Sequence, residues 1–162
     1  MILDPLAQWL QSREIATALR ESALAYPIVM TGHFTGMALF GGMILMTDMR
    51  LLGWAMKSWP VADVVRQLRP WKWAGFVLVP ACGSMLAWSK ADKYSGNPYF
   101  LAKMTFLALV GIHALVFRRS VYNNAEIDRA PAMPGQAKLA AALSLFLWTG
   151  LVSFGRLIAY WE

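Results

Sequence analysis

The chain has 162 residues, a formal net charge of +6, 58% hydrophobic and 15% charged side chains. Soluble domains carry ~45–50% apolar and ~25% charged residues, so this balance excludes a disordered chain and argues against a soluble enzyme with an ordinary charged surface. A single cysteine, Cys82, excludes a disulfide scaffold.

The first segment, residues 1–21, reads as an amphipathic piece lying in a membrane interface. Asp4-Pro5 has the form of a cap and first turn, and Leu6, Trp9 and Leu10 share one helical face. Ser12 is a candidate cap for a second short helix carrying Ile15, Ala18 and Leu19. Charges interrupt the segment, so it lacks the continuous apolar core of a signal peptide. A soluble cap on the rest of the fold is the alternative reading.

Residues 22–162 read as a four-helix transmembrane bundle, an all-α fold. Ser22 to Thr47, Trp73 to Ser89 and Leu139 to Gly155 carry no charged side chain, and Tyr94 to Phe117 carries only Lys103. A spanning helix needs about 20 apolar residues. The expected helices lie near 23–50, 70–90, 98–121 and 137–160. Tyr26-Pro27, Arg69-Pro70 and Asn97-Pro98 mark helix starts, with Pro27 alternatively kinking a longer helix. Ala130 to Gly135 is a loop into the last helix. Pro80 should bend the second span. The connection 48–72 has Trp54, Trp59, Val61, Val64, Val65 and Leu68 among basic residues, which predicts a short amphipathic helix of its own.

Basic residues concentrate in two connections. Residues 48–72 hold Arg50, Lys57, Arg66, Arg69 and Lys72, and residues 118–138 hold Arg118, Arg119, Arg129 and Lys138. The positive-inside rule puts both in the cytoplasm and both termini outside. Basic residues at the ends of apolar runs, with no dense patch, exclude a nucleic-acid partner.

Ionisable side chains inside spans are the candidates for chemistry, because lipid penalises them. Both histidines qualify. His33 lies in Thr31-Gly32-His33-Phe34-Thr35-Gly36 and His113 in Val110-Gly111-Ile112-His113. Neutral imidazoles ligate haem iron, and no covalent attachment signature is present, so haem b is the candidate cofactor. Gly32 and Gly36 either leave space for a macrocycle or let helices pack closely. Counted from Glu21 and Lys103, the histidines lie at similar depth. Counted from Asp48 and Arg118, they differ by roughly 15 Å. One haem bridged by both stands beside two haems with second ligands from Met37, Met43, Met46, Met85 or another subunit. Interhelical hydrogen bonding without a cofactor is the plain alternative.

Thr149, Ser153, Arg156 and Tyr160 share a helical face, read as a polar stripe pointing inward. Arg156 there either holds a haem propionate or a quinone carbonyl, or snorkels to the interface. Asp48 and Arg50 read as a structural pair with the Arg66–Lys72 cluster. Cys82 reads as packing. Phosphate loops, zinc spacings and a serine triad are missing, and few acidic groups in the spans argue against a proton-driven transporter.

The residues Tyr26-Pro27-Ile28-Val29, His33, Asp48 to Gly53, Pro70-Trp71, Ala74-Gly75-Phe76, Asn97-Pro98 and Gly155 to Tyr160 resemble an uncharacterised family of bacterial four-helix membrane proteins. That family is distantly similar to cytochrome-b-like and CopD-like proteins. The resemblance covers about residues 22–160 and implies a haem-bearing or metal-related subunit of the bacterial inner membrane, with His33 the better-matched ligand. The chain departs from the transmembrane ascorbate-type cytochromes b, which carry four ligand histidines.

The leading functional expectation is therefore a b-type cytochrome subunit. It would relay electrons between a membrane quinone and a partner redox protein, within a redox complex or a homo-oligomer. A cofactor-free anchor or assembly subunit is the second, and a copper-handling protein using Met and His the third.

Overall fold

The computed structural model describes residues 4–122, 124–129 and 132–161. The expected Asp4 cap, the Leu6 side chain and Ala130-Pro131 of the expected loop lie outside the side chains or residues described. All regular structure among the described residues is helical. Helix α1 spans Asp4–Gln11, α2 Glu14–Glu21, α3 Ala25–Leu52, α4 Val61–Ser89, α5 Ala91–Ser95 and α6 Pro98–Phe117. A π-helical turn, Arg118–Tyr122, follows α6. Then come α7 (Ala125–Arg129), α8 (Gly135–Leu157) and a 3₁₀ turn, Ile158–Tyr160.

Among the described residues, three segments are long and apolar enough to cross a membrane: Ala25–Leu52, Pro98–Phe117 and Gly135–Tyr160. Their local chemistry is legible. Pro27 falls in the first turn of α3, where its missing N–H costs nothing. Gly53 ends α3 with φ +76°, and its N–H bonds to the Arg50 carbonyl at 3.1 Å. A left-handed residue after a helix favours glycine because it has no Cβ to clash. Asn97 caps α6, its side-chain oxygen accepting the N–H of Tyr99 (2.9 Å) and Phe100 (3.2 Å). Its amide nitrogen donates to the Ile158 carbonyl, which ties the start of α6 to the end of α8.

The expected break at Arg69-Pro70 does not occur. Residues 61–69 form no separate amphipathic helix; they are the first turns of α4, which runs unbroken through Pro70 and Pro80. The reason lies far away in sequence. Asp128 in α7 accepts both the Val61 N–H and, at 3.1 Å, the Ala62 N–H. A carboxylate on these unpaired donors, at the positive end of the helix dipole, starts α4 nine residues earlier than Pro70 alone suggests. Val61 and Val64 bury against the fold while Arg66 and Arg69 stay exposed. Asp128→Ala is expected to cost about 1 kcal/mol, read as a lower melting temperature with frayed amide exchange confined to the first turns of α4.

Ser12 is likewise no cap. Arg13 occupies the N-cap of α2, and the Ser12 hydroxyl donates back to the Trp9 carbonyl at 2.8 Å. In the N-terminal pair, Ala7, Ala16 and Leu19 are buried while Trp9 and Ile15 are exposed. α1 packs on α5 and α4, and α2 on α4 and α3. The pair thus docks onto the bundle.

The long helices pack in the order α4, α3, α8, α6. α3 and α8 are central; α4 and α6 flank them. One end of the bundle carries the termini. The other, which holds the basic connections, also holds the main apolar core: Leu51, Val61, Val121, Ile127, Ala137, Ala140 and Ala141. Along the helices the large side chains point outward, as Phe34, Phe76, Leu107, Ile112, Leu115 and Phe146 do.

Candidate functional site

His33 sits two turns into α3 and faces α4. Its Nδ1 lies 3.0 Å from the Val79 carbonyl. A carbonyl only accepts, so Nδ1 carries the proton and donates. Gly83 makes room for the ring: a Cβ there would lie 3.0 Å from the imidazole Cε1. His113 sits near the other end of α6 and faces α8, where its Nε2 donates to the Ala140 carbonyl at 2.9 Å. Both rings are buried, at 8% and 6% exposure.

The two histidines therefore belong to different helix pairs. Counted from the starts of α3 and α6, they lie roughly 12 Å and 22 Å along their helices. One iron would need a nitrogen from each ring at a common depth. The residues do not fit a single bridged haem. Gly32 and Gly36 offer no macrocycle space either. A Cβ on Gly32 would lie 3.0 Å from the Cys82 sulfur, and one on Gly36 would lie 3.1 Å from Leu78 and Val79. Of the two readings of these glycines, close packing on α4 accounts for both. His113→Leu is expected to cost about 1 kcal/mol, the usual scale of one hydrogen bond between membrane helices. A detergent melt reads the loss, with a Gln replacement recovering part of it.

Arg156 lies outside the bundle. Thr149, Ser153, Arg156 and Tyr160 share a face, as their spacing requires, but all four are exposed. The Arg156 guanidinium donates to the Tyr160 hydroxyl at 2.9 Å. The inward face of α8 is built instead from Ala137, Ala140, Ala141, Ser144, Leu147 and Leu151. Small residues let α3 and α6 approach there, which turns the polar stripe away. Among the described residues, no group of three or more His, Cys, Asp or Glu could hold a metal ion.

The densest polar cluster lies at the basic end. Asp48 and Thr47 near the end of α3, and Ser144 on α8, are buried. Lys72 of α4 donates from Nζ to the Thr47 hydroxyl at 2.8 Å. The π-helical turn carries Tyr122 beneath α3, where its hydroxyl donates to Asp48 Oδ1 at 3.4 Å. Ser144 faces both groups. Burial, reinforced by the Asp48 charge, pushes the Tyr122 phenol above its ordinary range, so it remains a donor. Asp48 Oδ2 is fully buried with no hydrogen-bond partner among the described residues. The His113 ring stands 6.4 Å from that of Tyr122.

The expected pairing of Asp48 and Arg50 with the Arg66–Lys72 cluster takes a looser form, with the Lys72 charge acting on Asp48 while its ammonium bonds to Thr47. Arg50 donates to the Trp59 carbonyl at 2.6 Å, Arg66 pairs with Asp63 at 2.8 Å, and among the described residues Lys72 is the cation whose charge acts on Asp48. Sequence reasoning singled out neither Tyr122 nor Ser144. The available signal was an acid at the very end of an apolar run.

A family match spans residues 25–161, nearly the whole bundle. The chain belongs to DUF6644, a family of unknown function. The match agrees with the expected resemblance to an uncharacterised family and carries no likeness to cytochromes b or CopD. No curated protein and no solved structure matches this DUF6644 chain. Its α1 and α2 lie before the matched residues.

Proposed function

We propose that this DUF6644 protein is a cofactor-free membrane subunit that anchors or assembles a larger membrane complex. In this reading α4 is the fourth span, its apolar second half crossing the bilayer behind a polar start. The basic end faces the cytoplasm of a bacterial inner membrane and both termini face the periplasm. One observation carries the reading: both intramembrane imidazoles bond to main-chain carbonyls of neighbouring helices. Their donors are used to hold α3 to α4 and α6 to α8. The outward faces of α3, α6 and α8 then remain for lipid and partner helices.

The electron-carrier reading keeps one observation of its own. With Nδ1 of His33 held by the Val79 carbonyl, Nε2 is the nitrogen left to ligate, as in ligand histidines whose other ring N–H is fixed by a carbonyl. His33 would hold a haem b there with a second ligand from another subunit, and Arg156 at the terminal end would meet a propionate or a quinone.

Protein extracted from its own membranes in mild detergent separates the two. The anchor reading expects no reduced b-type band and migration with other polypeptides, well above the 18.1 kDa of one chain. A band abolished in His33→Ala replaces it with the electron carrier. A lone monomer, or an assembly of this chain only, also overturns it.

A further inference from the structure

We propose that Asp48, with Tyr122, Ser144, Thr47 and Lys72 around it, forms a proton-exchange site at the basic end of the helix bundle. The proposal goes beyond an anchoring role, which has no use for a titrating acid.

Three observations converge on it. Asp48 has no exposed surface, yet its Oδ2 has no hydrogen-bond partner among the described residues. A bare carboxylate oxygen away from water is costly unless something binds it. Second, the hydroxyls of Tyr122 and Ser144 reach the cluster from two other elements, Tyr122 on a π-helical turn. Such turns occur disproportionately at functional sites. Third, Lys72 does not close an ion pair with Asp48; its ammonium is bonded to Thr47 one residue away. The cluster has a charge nearby and an acceptor still open.

The ligand that fits is a proton. Oδ2 offers an unused lone pair, on which an O–H bond forms. A metal ion needs several oxygen donors, whereas the Thr47 hydroxyl is already engaged by Lys72 and the Met43 carbonyl. Lys72 also places a positive charge where a second cation would sit. Among the described residues, the charged or titratable groups that face the site are Lys72 from α4, Tyr122 from the π turn and, beside Tyr122, His113 from α6; Arg50 of α3 is turned to the Trp59 carbonyl. α8 contributes Ser144 alone. The Asp128 carboxylate of α7 is committed to the start of α4. Uptake takes a proton from water at the basic end and forms the Oδ2–H bond, removing the carboxylate charge. Release returns the proton to the same water.

Infrared difference spectra of the full chain in lipid vesicles, stepped between acid and alkaline pH, test this. A carboxylic C=O band should rise with acid, shift in deuterium oxide, vanish in Asp48→Asn and persist in Asp63→Asn. Lys72→Met should move its midpoint up by about one pH unit, or tenfold in proton affinity, because a neighbouring positive charge is gone. If Asp48→Asn does not fold, Asp48→Glu decides, since the band must then change frequency. No titrating band, a band that survives in Asp48→Asn, a midpoint unmoved in Lys72→Met, or a band indifferent to pH but abolished by sodium each overturns the proposal.

Discussion

Gly75→Leu is expected to unseat α4 from α3 and leave little folded protein. A Cβ at Gly75 would lie 2.7 Å from the Phe40 amide nitrogen and 2.9 Å from both the Gly36 carbonyl oxygen and the Phe40 Cβ. Two of these atoms are backbone and cannot swing aside, so the helices must part. Overpacking by a methylene or two costs about 1–3 kcal/mol, and a leucine adds more. Parting also removes the His33 bond to Val79, which holds the same pair. Against a total stability of ~5–15 kcal/mol, the loss is a large share. The melting temperature and the monodisperse fraction on size exclusion should both collapse. Gly42 and Gly111 provide the contrast, because a Cβ at either meets nothing within 4 Å. Alanine at those helical positions is expected to be neutral or stabilising by up to about 1 kcal/mol. If Gly75→Leu melts like Gly42→Ala, the close α3–α4 contact is wrong.

The same contact shows what was readable in the sequence. The apolar runs located α3, α6 and α8 to within a few residues, because span length and the Asn97-Pro98 signal are local properties. α4 was misjudged because its true start depends on Asp128, a partner 67 residues away from Val61. Arg69-Pro70 is a fair local start signal, overruled by tertiary capping. The glycines beside His33 were visible, but whether they faced a cofactor or another helix depended on the side chains of α4. The Arg156 stripe had the right period and the wrong side. In lipid the outside of a helix is as apolar as the inside, so polarity does not mark the buried face; the small residues of α8 do. The Asp48 cluster draws on α3, α4, α8 and a π turn. Its acid and the Lys72 end of a basic cluster stood out in one dimension, at a span end where a surface pair is the ordinary reading; Tyr122 and Ser144 did not.

Leu51→Ala is expected to destabilise by about 2–5 kcal/mol, and Leu107→Ala hardly at all. The substitutions are chemically identical; the surroundings differ. Leu51 is fully buried at the basic end among Val61, Val121, Ala137, Ala140 and Ala141. Removing its side chain opens a cavity between small and β-branched neighbours that have little reach to refill it. That core lies at the ends of the apolar spans and among the connections between them, so unfolding there exposes its surface to water and the hydrophobic effect acts in full. Leu107 on α6 is 46% exposed, on a helix apolar enough to cross a membrane. An acyl chain replaces its lost contacts, and lipid tails are as apolar as leucine. Denaturation midpoints in a lipid bicelle, measured on both variants, should separate clearly. Equal losses would mean that α6 is packed against protein on that side, and equal small losses would mean that the core under Leu51 is not dry. Leu51 also lies one helical turn beyond Asp48 on α3. Its variant should therefore loosen the attachment of the π turn, and amide exchange at Val121 and Tyr122 should rise before exchange elsewhere in α6.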